Sequence, residues 1–164
     1  LSTLEDKEYI IINKLAYYLG HPGRGDIVVF FPPHEEDRKY YVKRVIGLPG
    51  DEVIIKDGYV FLKESGSDQA KELPEVYLDE RTIGKTFSQP HGGDADRPVT
   101  YTVPAGHYFM LGDNRQGSLD SRSFMSQRNM PLPFVPEENI KGRVWFIVLP
   151  ITKIHAFAAP DYAL

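Results

Sequence analysis

The chain contains no cysteine, so disulfide staples, cysteine-based zinc sites and a cysteine nucleophile are excluded. It also lacks any apolar run near the ~18 residues needed to span a bilayer. The longest, Val144 to Ile151, is eight residues and contains Pro150. Positive charge is not in excess: 19 Lys and Arg stand against 23 Asp and Glu, a net charge of −4. That balance argues against a nucleic-acid partner, which calls for a basic patch or stripe. The five histidines show no HExxH or comparable ligand spacing, so neither a metal nor another cofactor is expected. No glycine-rich loop runs into Lys-Ser/Thr, and no G-x-S-x-G turn marks a Ser-His-Asp hydrolase. An initiator Met is missing as well, and Leu1 reads as a cut start.

What is present is strand. With 164 residues, 41% hydrophobic and 26% charged, the chain suits one folded domain or a domain carrying an insertion. Tyr9-Ile10-Ile11-Ile12 is a β-branched run, and a short helical or irregular piece through Leu15 to Tyr18 follows it. Ile27 to Phe31 and Tyr40 to Ile46 read as further strands, with His34 to Lys39 as the turn between them. Val53-Ile54-Ile55 and Tyr59 to Leu62 flank Asp57-Gly58, a strong hairpin signal. Strand patterns return at Val99 to Val103, Tyr108 to Leu111 and Arg143 to Leu149. Between them Lys63 to Pro98 is rich in Ser, Gly, Asp and Pro, and reads as an inserted subdomain or long loop. The expected fold is mostly β: a partly open barrel or sandwich of antiparallel sheets. Its core comprises 1–62 and 99–164, with a β-rich insertion at 63–98.

Two segments carry candidate chemistry. Lys43 stands in an apolar strand, where alternation puts Tyr41, Lys43 and Val45 on one face and Val42, Arg44 and Ile46 on the other. Such a lysine is either a solvated edge residue with a packed stem or a desolvated amine of lowered pKa, able to take a proton. Gly112 to Arg122 follows a strand and gathers Asp113, Arg115, Ser118, Asp120 and Arg122. It is either a turn held by Asp–Arg pairs or a functional loop on a rigid sheet. Arg24-Gly25-Asp26 spells an integrin-binding tripeptide, but it also makes an ordinary turn into a strand. Trp145 reads as a core or docking aromatic.

These blocks, in this order, resemble the type I signal peptidases, membrane-bound Ser-Lys endopeptidases. Thr3-Leu4 with Tyr9 to Lys14 resembles the end of the block that begins Ser-Met-x-Pro-Thr-Leu. Arg24 to Phe30, Tyr41 to Asp51 and Gly112 to Arg122 are similar to the next three, and the last two are the most diagnostic. The resemblance implies that Lys43 is the general base and that Ser118 orients it. It implies that Arg44, Asp113, Arg115, Asp120 and Arg122 form a supporting charged network. Leu4, Ile10, Val29, Tyr41 and Val42 fall where the family binds substrate, with shallow pockets for the small residues before the cleavage site. The implied substrates are signal peptides of preproteins, laid along an exposed strand edge. The implied location is the extracytoplasmic face of a bacterial plasma membrane or a thylakoid, reached through an N-terminal anchor.

The same register places the nucleophilic serine two residues before Leu1, with Ser2 in the slot of the family's proline. The chain from Leu1 on would then bind signal peptides without cleaving them. Met125 stands where the family has glycine, and Ser126 to Phe134 read as extra loop. The alternative is a non-catalytic relative that assembles or binds secreted proteins, against which the intact Lys43 and Ser118 argue. A self-cleaving Ser-Lys repressor needs an attached DNA-binding domain, and its loop does not resemble Gly112 to Arg122.

Overall fold

Residues 9–33, 39–89, 97–124, 132–149, 155–160 and 162 are described by a computed structural model. The expectations for Ser2, Thr3-Leu4, most of the 34–39 turn and residues 125–131 lie outside those residues. The apolar runs become strands because each buries one face or both. β1 (Tyr9–Asn13), β2 (Ile27–Phe30), β3 (Tyr41–Gly47), β8 (His107–Leu111), β9 (Val135–Pro136) and β10 (Ile140–Leu149) form one antiparallel sheet. Its order is β1-β10-β2-β3-β8-β9, and β11 (His155–Ala156) adds to β10. β4 (Glu52–Lys56), β5 (Tyr59–Lys63), β6 (Lys71–Glu72) and β7 (Val99–Thr102) form a second sheet ordered β6-β5-β4-β7. Neither sheet closes into a barrel, and the mostly-β expectation holds.

Local chemistry explains the joints. Asp57 (φ 52°) and Gly58 (φ 85°) both take the left-handed region, as a two-residue turn between β4 and β5 requires. Asn13 Oδ1 accepts from the backbone N–H of Leu15 at 3.0 Å and of Ala16 at 3.2 Å. That capping turns the chain into the 3-10 turn Leu15–Tyr17. β2 is buried along its whole length, which is why it reads as an unbroken apolar run. One cluster, with Ile46, Val53, Leu62, Phe109 and Leu111, joins the second sheet to β3 and β8. A second, with Val28, Phe30, Val45, Tyr108 and Met110, lies on one face of the first sheet. Ile27, Val29 and Val144 fill a third on its other face.

Two differences from the sequence reading have simple causes, and the Arg24-Gly25-Asp26 turn agrees with it. β10 begins at Ile140 and not Arg143, because Lys141 and Gly142 interrupt the apolar pattern where a register shift occurs. Trp145 is 46% exposed and packs edge-on against Phe146, so the core reading fails. Arg24 points inward, donating to Asp51 Oδ2 at 2.8 Å and to the Ile46 carbonyl at 2.7 Å. Asp26 is buried and pairs with Arg143 at 3.2 Å, so Arg24-Gly25-Asp26 is a structural turn.

Candidate functional site

β3 sets the lysine. In its ladder with β2, Lys43 stands opposite Val28, and Tyr41 stands opposite Phe30. Val28 and Val45 are fully buried, so the lysine stem rises from an apolar floor. Its Nζ lies 5.5 Å from the centre of the Tyr41 ring. Burial pushes the Lys43 ammonium below the ordinary lysine range, while the charges of Asp120 and Asp113 pull it partly back. Of the two readings of this residue, the desolvated one is what the packing supports.

The loop after β8 is held by buried ion pairs with several partners each. Arg44 donates to both oxygens of Asp113, at 3.0 and 2.7 Å, and to the Gly25 carbonyl at 3.0 Å. Arg122 donates to both oxygens of Asp120, at 2.9 and 2.7 Å, and to the Arg115 carbonyl at 2.9 Å. Asp120 Oδ2 also accepts from the Gly112 N–H at 3.0 Å. Arg115, fully buried, donates to the Gly112 carbonyl at 3.1 Å, Glu75 Oε2 at 2.8 Å and Thr86 Oγ1 at 2.8 Å. Burying charge is costly unless the partners are this well matched. The loop is therefore stiff. The short helix α1 (Ser121–Phe124) ends it, with Ser121 Oγ accepting from the Met110 N–H at 2.9 Å.

Gly112 is where strand and loop chemistry meet. A Cβ there would stand 1.9 Å from Ser118 Oγ and 3.5 Å from Lys43 Cδ. Only a bare Cα lets Ser118 sit beside the lysine stem. Ser118 Oγ is buried and makes no hydrogen bond among the described residues, which leaves a hydroxyl available at the lysine. Gly112→Ala is expected to push Ser118 aside and cut turnover by about tenfold or more, since a small misplacement of a positioning group is that costly. Steady-state kinetics on the complete encoded protein checks this, and unchanged turnover counts against the packing argument.

The other predicted residues divide. Ile10, Val29 and Val42 come together around Ile27 and Val144, with Ile10 and Val42 half-buried. Tyr41 lies on the opposite face, edge-on to Phe30 with centroids 6.2 Å apart. Leu4 lies outside the described residues. Sequence reasoning missed Glu75, Tyr77 and Thr86, which come from the 63–98 segment and brace Arg115. Tyr77 also stacks under the Arg44 guanidinium at 3.9 Å, and burial pushes its hydroxyl well above the ordinary tyrosine range. Their signals were two apolar islands, Val76-Tyr77-Leu78 and Thr86-Phe87, in a polar stretch. An open cleft of about 870 Å³ lined by Tyr17, Tyr40, His107 and Glu137 lies apart from this site and includes neither Lys43 nor Ser118.

Comparison with known proteins follows the same residues. A family profile described as signal peptidase, peptidase S26, matches residues 1–149. Signal peptidase I of Pseudomonas aeruginosa is 34% identical over 174 aligned residues, covering 88% of this chain and 60% of that protein. Signal peptidase I of Bacillus licheniformis is 36% identical, covering 93% of this chain and 73% of that one. A crystal structure of a signal peptidase I from Enterococcus faecalis V583 superposes with a TM-score of 0.53 at 30% identity. That match covers 74% of this chain and 95% of the other. The chain thus spans 60% of the length of its Pseudomonas relative.

Proposed function

This chain belongs to the signal peptidase family, peptidase S26, and on that premise we propose that it is the catalytic domain of a signal peptide-removing serine endopeptidase. The observation that carries the reading is the desolvated Lys43, packed with Ser118 over the bare Cα of Gly112. A lysine held this way costs stability, and a binding factor gains nothing from it. Neutral Lys43 takes the hydroxyl proton of a serine just upstream of Leu1, and that oxygen attacks the carbonyl carbon of the scissile bond. The lysine ammonium then returns its proton to the leaving amine, and water hydrolyses the acyl ester. Ser118 orients the amine, and Arg44, Asp113, Arg115, Asp120 and Arg122 keep its loop in place.

For the substrate, we assign the signal peptides of preproteins, cut after small residues. The β8 ladder on β3 begins only at Arg44, so an extended peptide can be added beside Val42 and Lys43. Half-buried Ile10 and Val42 beside buried Val29 offer an apolar surface, on which alanine-sized side chains of the substrate would seat. The membrane is the other partner. Tyr9, Leu15, Tyr18 and Leu19, on β1 and the turn after it, are all mostly exposed, and Trp145 is nearly half exposed. An apolar, aromatic-bearing surface of that kind suits the lipid interface. No helix among the described residues is long and apolar enough to cross a membrane. We place the domain on the extracytoplasmic face, of a bacterial plasma membrane or a thylakoid, reached through an N-terminal anchor.

The test is processing of a preprotein by the complete encoded protein across pH. Only the neutral amine accepts a proton, so kcat rises with pH through a midpoint below the ordinary lysine range. Correct cleavage with that profile supports the reading. A rate that falls as pH rises from neutral to alkaline overturns it.

A further inference from the structure

The family profile ends at residue 149, yet described residues beyond it pack onto the catalytic loop's supports. The Phe157 N–H donates to the Trp145 carbonyl at 2.9 Å, which ties the tail to β10. Further on, Pro160 and Tyr162 close over Gly25: a Cβ there would stand 2.8 Å from Pro160 Cδ and 2.8 Å from Tyr162 Cε2. Gly25 sits at φ 86°, a region that any side chain would strain. Its N–H donates to the Val45 carbonyl at 2.8 Å, and its own carbonyl accepts from Arg44 at 3.0 Å. Tyr162 then packs edge-on to Tyr77, with centroids 6.5 Å apart and planes at 88°. Tyr77 is the ring on which the Arg44 guanidinium lies, at 3.9 Å.

The stack therefore runs Tyr162, Tyr77, Arg44, Asp113. Arg44 follows Lys43 in β3, and Asp113 follows Gly112, over whose bare Cα Lys43 and Ser118 pack. We propose that Tyr162 is a positioning residue whose tail straps Arg44 onto Asp113, and so holds the strand bearing Lys43 against the loop bearing Ser118. The inference rests on the reading of Lys43 as general base. Arg44, Glu75, Tyr77 and Asp113 are the charged and titratable groups around Tyr162, and Asp113 and Asp120 are those acting on Lys43. A tail that merely covered the core would lower stability when trimmed and leave the lysine alone. A strap also changes how closely the loop shields the amine from water.

Three variants of the complete encoded protein separate these outcomes: Tyr162→Leu, Tyr162→Phe and Lys43→Ala. In Tyr162→Leu, kcat is expected to fall about tenfold with KM within about twofold, because alignment and not binding is lost. The alkaline-rising midpoint of kcat moves up, toward the ordinary lysine value, as water gains access to the amine. Tyr162→Phe keeps the ring and restores both readouts. Tyr162→Met replaces Tyr162→Leu if the latter does not fold, because its unbranched chain fills irregular gaps. A lowered melting temperature with kcat and midpoint unchanged overturns the strap. Persisting activity in Lys43→Ala overturns the base assignment instead, so the two failures are distinguishable.

Discussion

Lys43→Ala is expected to abolish preprotein cleavage, lowering kcat by about a thousandfold or more, within the range that a general base supplies. Lys43→Met is expected to do the same to activity but to raise stability. Burial depresses the folded-state pKa of this lysine, so between that value and its unfolded value the unfolded chain binds more protons. Stability therefore rises with pH through that window, and below it the ammonium is a net cost to the fold. Methionine keeps the stem's volume on the apolar floor made by Val28 and Val45 and removes the charge. An increase in melting temperature of about 2–4 °C near neutral pH is expected, the shift that ~1 kcal/mol gives in a domain of this size. The gain should shrink as pH approaches the ordinary lysine value. Calorimetry of both proteins across pH checks it, and a methionine variant that melts lower at neutral pH contradicts the desolvation argument.

Arg115→Ala is expected to have the largest effect on stability. Its guanidinium is fully buried and donates to Glu75, Thr86 and the Gly112 carbonyl. Truncation leaves the Glu75 carboxylate with little exposure and without its bidentate partner. Breaking one side of a buried pair costs about 3–5 kcal/mol. Arg115→Lys rescues little, because a point charge on a flexible stem cannot replace a fork serving Glu75, Thr86, Tyr77 and the Gly112 carbonyl. Urea unfolding of the two variants measures this, and a loss below about 1 kcal/mol for the alanine would show that the pair is solvated. Turnover falls with stability here, since Arg115 holds the carbonyl of the residue on which Lys43 and Ser118 meet.

Much of this molecule is legible in its order of residues. Unbroken apolar runs such as Ile27 to Phe30 and the Asp57-Gly58 turn specify strands and a hairpin, because side-chain alternation and positive φ are local properties. The blocks Tyr41 to Asp51 and Gly112 to Arg122 carried the resemblance to the signal peptidase family, to which the chain belongs. Short pieces such as β6, β9 and β11 escaped, since two residues carry no periodicity. The sequence leaves Trp145 between core and docking roles, because an aromatic in an apolar strand has the same local pattern whether it faces core or solvent.

The state of Lys43 was not legible. Its strand by itself reads first as a solvated edge, with the buried base as the alternative, and pKa is set by the surroundings that folding assembles. Val28 comes to it from β2, and Gly112 and Asp120 come from the distant loop after β8. Glu75 and Tyr77 reach Arg115 across sequence separations of 40 and 38 residues, and no local pattern records such a meeting. Tyr162 reaches Gly25 over a still longer distance. The sequence by itself determined where the long strands form, where they turn and which family the chain belongs to. Tertiary structure alone decided which charges are buried, because burial depends on what every other segment places around them.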